Sequence, residues 1–164
     1  MCIRDSSGSA ANTTLLLNGT NANIIDQTGA INIVPAGSAR ISTTTSKFGT
    51  GSIVLDGSTG YLTTGVITYA GGPSSAPLIL GGADFTVEAF VYINSLASSS
   101  TLYALNSLTT AFAGFRFDIL TSGAYQLLLS TSGSAWAINY TSPTGLFTTG
   151  QWYHLAIVRS GSSF

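Results

Sequence analysis

Nearly the whole chain after Thr13 consists of short apolar or alternating runs that are separated by clusters of Gly, Ser, Asn and Asp. None of the runs keeps a helical period for longer than a turn or two. This pattern is typical of an all-β protein, a sandwich or a barrel in which tight turns connect the strands. The predicted strands are 14–17, 23–27, 52–55, 61–66, 85–93, 101–105, 114–120, 125–130, 136–140 and 152–159.

The clearest alternation lies in the run GFRFDIL. Successive side chains of a strand point to opposite faces, so Phe115, Phe117 and Ile119 share one face. Arg116 and Asp118 share the other face. We expect the aromatic and aliphatic face to belong to the core.

The run ADFTVEAFVYI, residues 83–93, holds two acids in an otherwise apolar strand. The period of two places Asp84 and Glu88 on the same face. Two carboxylates on one strand face are either a catalytic pair or part of a polar sheet surface. The residues expected on this face are Asp84, Thr86, Glu88, Phe90 and Tyr92, and those expected on the inner face are Phe85, Val87, Ala89, Val91 and Ile93.

Composition excludes several classes of partner. Only 7% of the 164 residues are charged, and the polar remainder is rich in Ser, Thr and Gly, which suits strands and turns better than surface helices. The net charge is -1 and the five Lys and Arg residues are scattered, so we expect no nucleic-acid partner. The apolar runs are far shorter than the roughly 20 residues that span a bilayer, so we expect no membrane insertion.

The length suits one domain, which we assign to residues 14–164. Residues 1–13 contain the only Met and the only Cys, and we treat them as a disordered or artefactual segment. A lone cysteine, Cys2, excludes a disulfide within the chain. No basic segment followed by an apolar one opens the chain, so we expect no signal peptide in this sequence.

Three segments resemble the laminin G-like domains of the concanavalin A-like lectin/glucanase superfamily. They are SKFGTGSIVLDGSTGYLTT (46–64), ADFTVEAFVYI (83–93) and GQWYHLAIVRSG (150–161). The resemblance implies an antiparallel jelly-roll sandwich of two sheets. Relatives begin with a strand such as LLLNGT followed by an Asp, here Asp26, and they continue beyond the tryptophan strand 152–159. We therefore expect a C-terminally truncated fragment that lacks its last strand or strands.

The laminarinase-like glycoside hydrolases of this superfamily carry Glu, Asp and Glu on alternating positions, which match Asp84, Thr86 and Glu88 here. Hydrolysis needs an acid and a second carboxylate within roughly 5–10 Å of each other. The Cα atoms of Asp84 and Glu88 would lie about 13 Å apart on a flat strand, and the middle acid is missing. We therefore expect no enzyme activity, with a glycoside hydrolase kept as an alternative.

His154 is the only histidine, so a Ser-His-Asp arrangement would have to use it, and the chain has no G-x-S-x-G elbow. We expect His154 to be packed or hydrogen-bonded rather than functional. Alternation groups it with Trp152, Ala156 and Val158 on one face of the last predicted strand.

Calcium needs only oxygen ligands, which loops can supply. Some relatives hold calcium at a sandwich edge, and Asn18, Asp26 and Asp56 are the candidate ligands of a structural calcium ion here. The alternative is that Asp56 serves the tight turn with Gly57 and that Asp26 ends a strand. No other cofactor is predicted.

Sugars are bound by aromatic rings that stack on them and by Asn, Asp and Gln side chains that supply directional hydrogen bonds. Trp136 and Tyr140 fall on one face of the run WAINY, with Asn139 on the other face. Tyr61 and Tyr92 add aromatic surface. The alternative is that these rings fill the core between two sheets.

The resemblance implies a non-catalytic carbohydrate-binding or adhesion module of a larger extracellular or phage fibre protein. Its expected partners are a glycan or cell-surface polysaccharide and the other modules of the parent chain. A purely structural β-sandwich module of a virion fibre or surface protein is the main alternative. Exposed aromatic side chains would favour binding, whereas buried ones would favour the structural role.

Overall fold

The computed structural model describes residues 13–19, 23–64, 84–105, 114–132 and 134–164, and these residues contain no helix. Each strand pair whose register is defined is antiparallel, so the predicted all-β antiparallel class is confirmed. The strands are β1 (Val34–Ala36), β2 (Arg40–Ser42), β3 (Ser52–Val54), β4 (Tyr61–Thr63), β5 (Phe85–Tyr92), β6 (Ser100–Leu105), β7 (Phe115–Ile119), β8 (Tyr125–Leu129), β9 (Ile138–Thr141) and β10 (Trp152–Arg159).

The chain divides into two compact units. The first runs up to Val91 and resumes with Trp152–Phe164, and the second is Tyr92–Gln151. The assignment of one domain to residues 14–164 stays a prediction. Residues 1–12, which we expect to be disordered or artefactual, lie outside the described residues.

The first unit contains three two-stranded sheets, which pair β1 with β4, β2 with β3, and β5 with β10. Ile41 lies opposite Ile53 in the β2–β3 pair, so the two side chains point to the same side. Ile53 is buried together with Leu17 and Ile24, and these three residues form a small core. The partly buried residues that pack against this core are Leu15, Ile33, Ile41, Leu55 and Leu62.

The N-terminal part of the first unit differs from the prediction. Segments 14–17 and 23–27 are not strands. Their strand-like pairing is an isolated antiparallel bridge between Leu17 and Asp26, beside which the Gln27 N–H donates to the Leu16 carbonyl oxygen at 2.8 Å. The apolar pattern also gave no signal for β1 and β2, since each has three residues and β1 contains Pro35, which cannot donate to a ladder. The last two residues of the predicted strand 61–66 lie outside the described residues.

A buried carboxylate, that of Asp26, holds this irregular segment together. Its Oδ1 accepts the backbone N–H groups of Leu16 and Thr28, at 2.9 and 3.0 Å. Its Oδ2 accepts the Thr28 hydroxyl at 2.6 Å and the N–H groups of Ala30 and Ile31 at 3.1 and 3.0 Å. Burial by itself raises the pKa of Asp26, but these hydrogen bonds stabilise the charged form and leave its pKa below the ordinary value.

The β5–β10 pair shows the alternation that the sequence predicts. On β5, Thr86 and Glu88 are exposed whereas Val91 is buried. On β10 the exposed side chains are His154, Ala156 and Val158, and the partly buried residues Leu155 and Ile157 alternate with them. Both strands of this pair therefore have one solvent-facing side.

The second unit is built on one four-stranded sheet with the order β6-β7-β8-β9. Phe117 lies opposite Tyr103 on one side and Leu127 on the other, and Leu127 lies opposite Tyr140. Opposed residues point to the same side, so these four side chains share one surface, which we call the core face. Its buried members are Phe115, Phe117, Ile119 and Leu127, which confirms the prediction for β7.

Gly123 joins the β7–β8 turn to the segment that follows β9. Its φ of +68° lies in the left-handed region, and a Cβ atom there would lie 2.5 Å from the Phe147 carbonyl oxygen. The Phe147 N–H donates to the Gly123 carbonyl oxygen at 2.9 Å, and the Phe147 side chain is buried. Only glycine allows this approach of the two backbones.

The substitution Asp26→Asn tests the role of the buried carboxylate. It places an NH₂ group where one of two accepting oxygens stood, so that buried N–H groups lose their acceptor. Since an unsatisfied buried donor costs about 1–3 kcal/mol, we expect the free energy of unfolding in urea to fall by about that amount. Asp56→Asn is the control, because Asp56 also accepts several N–H groups but is exposed. Equal decreases of the free energy of unfolding in the two variants would contradict the conclusion that the burial of Asp26 makes its hydrogen bonds important.

The lowered pKa of Asp26 also predicts the direction of a pH dependence. A carboxyl group whose pKa is lower in the folded than in the unfolded protein adds stability above about pH 4, and this stability is lost as the pH falls through the folded pKa. We expect the free energy of unfolding to decrease below about pH 4. In Asp26→Asn the slope should be shallower, by at most about 1.4 kcal/mol per pH unit. Identical slopes in both proteins would contradict this prediction.

Candidate ligand-binding surface

The sheet of the second unit ends at β9, which is the last strand in the order. Tyr140 lies opposite Leu127 on the core face, whereas Asn139 lies opposite Leu128 on the other side of the sheet. The predicted placement of these two residues on opposite faces is therefore observed. Both Tyr140 and Asn139 are exposed.

Tyr140 is the outermost of a row of aromatic rings on the core face. Its ring centroid lies 5.8 Å from that of Tyr125, and the Tyr125 centroid lies 5.7 Å from that of the buried Phe117. Burial and the neighbouring Tyr140 hydroxyl raise the pKa of Tyr125. Tyr140 itself is 48% exposed. The row therefore fixes one ring in place while it leaves part of that ring open to solvent.

The opposite side of the sheet, which we call the polar face, carries hydrogen-bonding side chains. Its members on the four strands, all but two of which carry hydrogen-bonding side chains, are Thr101, Ala104, Arg116, Asp118, Gln126, Leu128, Asn139 and Thr141. The Gln126 amide donates through Nε2 to Asn139 Oδ1 at 3.2 Å and to Thr141 Oγ1 at 3.4 Å. Among the described residues no hydrogen bond engages Gln126 Oε1 or Asn139 Nδ2, so one acceptor and one donor group stay available on this face.

A charged pair lies on the same polar face. Asp118 is 2% exposed and Arg116 is 44% exposed by their side chains, and the Arg116 Nε lies 2.8 Å from Asp118 Oδ2. The Thr101 hydroxyl donates to Asp118 Oδ1 at 2.6 Å. The alternation in β7 places both residues on one face, but their pairing was not among the sites that the sequence predicts. The sequence does indicate this pairing, because Arg116 and Asp118 are the only charged residues in the range 92–151.

The remaining aromatic candidates are more scattered. Trp136 is half-buried and precedes β9, which begins at Ile138, so the strand alternation does not extend to it. Tyr92 is half-buried at the end of β5. Tyr61 is 58% exposed on β4, in the first unit. A ligand role for these three residues stays a prediction.

Asp84, which directly precedes β5, and Glu88 on β5 have separate partners. Asp84 Oδ1 accepts the N–H of Gly161 at 2.7 Å. Glu88 Oε2 lies 3.2 Å from His154 Nε2, and both side chains are about half exposed. The His154 ring stacks on Phe90 with a centroid distance of 4.4 Å. Each acid thus has a structural partner on or beside β10, and His154 is both hydrogen-bonded and packed.

The two acids among the three candidate calcium ligands, Asp26 and Asp56, already accept hydrogen bonds within the protein. Both oxygens of Asp26 accept hydrogen bonds. Asp56 Oδ1 accepts the N–H groups of Gly60, Ser58 and Thr59 at 2.7 to 2.9 Å, and these donors hold its pKa well below the ordinary value. The described residues include no group of three or more His, Cys, Asp and Glu side chains that could hold a metal ion. Calcium at Asn18, Asp26 and Asp56 stays a prediction.

None of the described segments forms a helix with the length and apolar character that crossing a membrane requires.

A laminin G family model, described as the concanavalin A-like lectin/glucanases superfamily, matches residues 56–164, which are more than half of the chain. No curated protein and no solved structure matches the chain. The matched residues include every strand from β4 to β10, and thus both surfaces of the four-stranded sheet. The antiparallel all-β structure agrees with the jelly-roll sandwich of that superfamily, and the chain belongs to the concanavalin A-like lectin/glucanases superfamily.

Proposed function

We propose that the domain is a non-catalytic module that binds glycans or mediates adhesion. The observation that carries this proposal is the exposed Tyr140 ring on the edge strand β9, which Tyr125 and Phe117 hold in place. A ring whose orientation is fixed by packing loses little conformational entropy when a sugar stacks on it. Extracellular or virion-associated placement, and other modules of a parent chain as partners, are parts of this proposal.

Hydrogen-bonding groups next to Tyr140 support the same function. Asn139 is its neighbour in sequence, and Gln126 and Thr141 surround Asn139 on the polar face. Sugar hydroxyls need donors and acceptors at short range, and amide side chains offer both. A glycan that covers the edge of the sheet at β9 would contact the ring from one side and the amides from the other.

The partners of Asp84 and Glu88 argue against hydrolysis. A general acid must protonate the leaving oxygen, and a second carboxylate must face the other side of the scissile bond. Asp84 is hydrogen-bonded to the turn after β10, whereas Glu88 is paired with His154. The position between them on the same face is Thr86, which cannot supply a carboxylate.

A structural module is the second candidate, and one observation favours it. The outer side of β10 exposes Ala156 and Val158, two apolar residues on one strand face. Such a face suits contact with a neighbouring module better than contact with a sugar. The structural function predicts that the wild-type protein binds no glycan.

Replacement of the exposed ring tests glycan binding. We expect Tyr140→Ala to weaken binding to any glycan that the wild-type protein retains on a glycan array by about tenfold or more, since a stacked ring contributes about 1–3 kcal/mol. Leu146→Ala is the matched control, because Leu146 has the same exposure in the same unit. Unchanged binding by a folded Tyr140→Ala protein would contradict the role of this ring, and the same measurement on Trp136→Ala tests the second predicted ring.

The absence of glycosidase activity can be measured directly. We expect no release of reducing ends when the protein is incubated with β-glucans, because Asp84 and Glu88 are each engaged by a different partner. Release of reducing ends that Glu88→Gln abolishes would overturn the proposal. Asp56→Asn, which changes an exposed acid on a turn, is the control and should leave such release unchanged.

A further inference from the structure

The only two charged side chains between residues 92 and 151 are Arg116 and Asp118, and they form one ion pair on the polar face. A buried carboxylate needs a cation or several donors, so Asp118 requires a partner. This need does not explain why the Arg116 side chain is 44% exposed.

The pair uses only one edge of the guanidinium. Arg116 Nε donates to Asp118 Oδ1 at 3.0 Å and lies 2.8 Å from Oδ2. Asp118 in turn accepts the Thr101 hydroxyl. In the part of the chain that the structure describes, no hydrogen bond engages the two terminal nitrogens of Arg116. Arginine has five N–H donors, so four of them remain for a ligand.

The buried acid also orients the guanidinium. Because Arg116 is held at Nε, its side chain is already ordered before a ligand binds. Binding therefore costs less conformational entropy. Its planar fork matches the two oxygens of a carboxylate, and it binds the oxygens of a sulfate ester in the same way. Because Asp118 lies beneath the surface and its oxygens are engaged, the outward side of the pair presents donors only.

The sheet register brings the amides within reach of the same ligand. Arg116 lies opposite Leu128, and Leu128 lies opposite Asn139, so the three residues form one cross-strand row. Adjacent strands are about 4.8 Å apart, which places the Cα atoms of Arg116 and Asn139 about 10 Å apart. The long side chain of Arg116 can span much of this distance, so Arg116 and Asn139 can both contact one sugar residue.

We propose that the polar face is a subsite for an anionic saccharide. The terminal nitrogens of Arg116 bind the carboxylate of a uronic acid or a sulfate ester, and the amides of Gln126 and Asn139 bind the neighbouring hydroxyls. This inference rests on the proposed glycan-binding function and names the class of glycan.

The experiment compares matched polysaccharides by isothermal titration at fixed ionic strength. Polygalacturonate and its methyl ester differ only in the free carboxylate, and dextran sulfate and dextran differ only in the sulfate ester. We expect the wild-type protein to bind at least one anionic polymer about tenfold or more tightly than its neutral counterpart. The pair that shows the difference identifies carboxylate or sulfate as the group that Arg116 binds.

Arg116→Lys keeps the positive charge beside Asp118 but removes the fork. We expect this variant to bind the preferred anionic polymer about tenfold more weakly, with unchanged binding of the neutral counterpart. Arg40→Lys, on β2 of the first unit, is the control for general electrostatic attraction and should change neither affinity. If Arg116→Lys does not fold, the double variant Arg116→Gln with Asp118→Asn removes both charges, and the same loss is expected from it.

The outcomes separate this inference from the proposed function. Equal binding of acidic and neutral polymers by the wild-type protein, with a loss in Tyr140→Ala, would overturn the anionic subsite and leave glycan binding intact. Binding of none of the four polymers would overturn the anionic subsite, whereas the glycan array tests the proposed function separately. If Arg116→Lys still binds the anionic polymer as much more tightly than the neutral one as the wild-type protein does, Arg116 is not the source of this preference. That result would also overturn the inference.

Discussion

The register of the four-stranded sheet determines what each of its surfaces can do. Hydrogen bonds between β7, β8 and β9 set Phe117 opposite Leu127 and Leu127 opposite Tyr140. A slip of one residue in any strand would move its side chains to the opposite face. Apolar burial on the core face opposes such a slip, so the same contacts that form the core also place Arg116 and Asn139 on the polar face.

Two buried acids are stabilised in different ways. Asp26 receives its hydrogen bonds from backbone N–H groups and one hydroxyl of its own segment. Asp118 is paired with an arginine from its own strand, β7, and with a threonine from β6. Both oxygens are engaged in each case, but the donors of Asp26 carry no charge. The arrangement at Asp118 brings a cation to the surface. In a chain with few charges, this difference distinguishes a structural carboxylate from one that lies beside candidate binding groups.

Strong alternation made the regular strands predictable. The ranges of β5, β7 and β10 agree with the sequence prediction to within one or two residues, because apolar and polar side chains alternate along them. The range of β8 agrees as well, but Leu127 and Leu128 are both buried there, and its signal was a short apolar run next to a turn. The opposite placement of Tyr140 and Asn139 followed from the period of two. The Glu88–His154 contact could not be predicted from this period, because it depends on which strand pairs with β5. The hydrogen bonds that Asp26 accepts could not be predicted either, because backbone N–H donors leave no trace in the pattern of side chains.

The hydrogen bonds of Asp26 have a consequence for how this segment can change in evolution. Its backbone donors at positions 16, 28, 30 and 31 are present in every residue type except proline. Many side chains at these positions can therefore be exchanged without loss of a backbone bond, provided that the carboxylate stays. A segment held in this way can retain its conformation while its sequence changes.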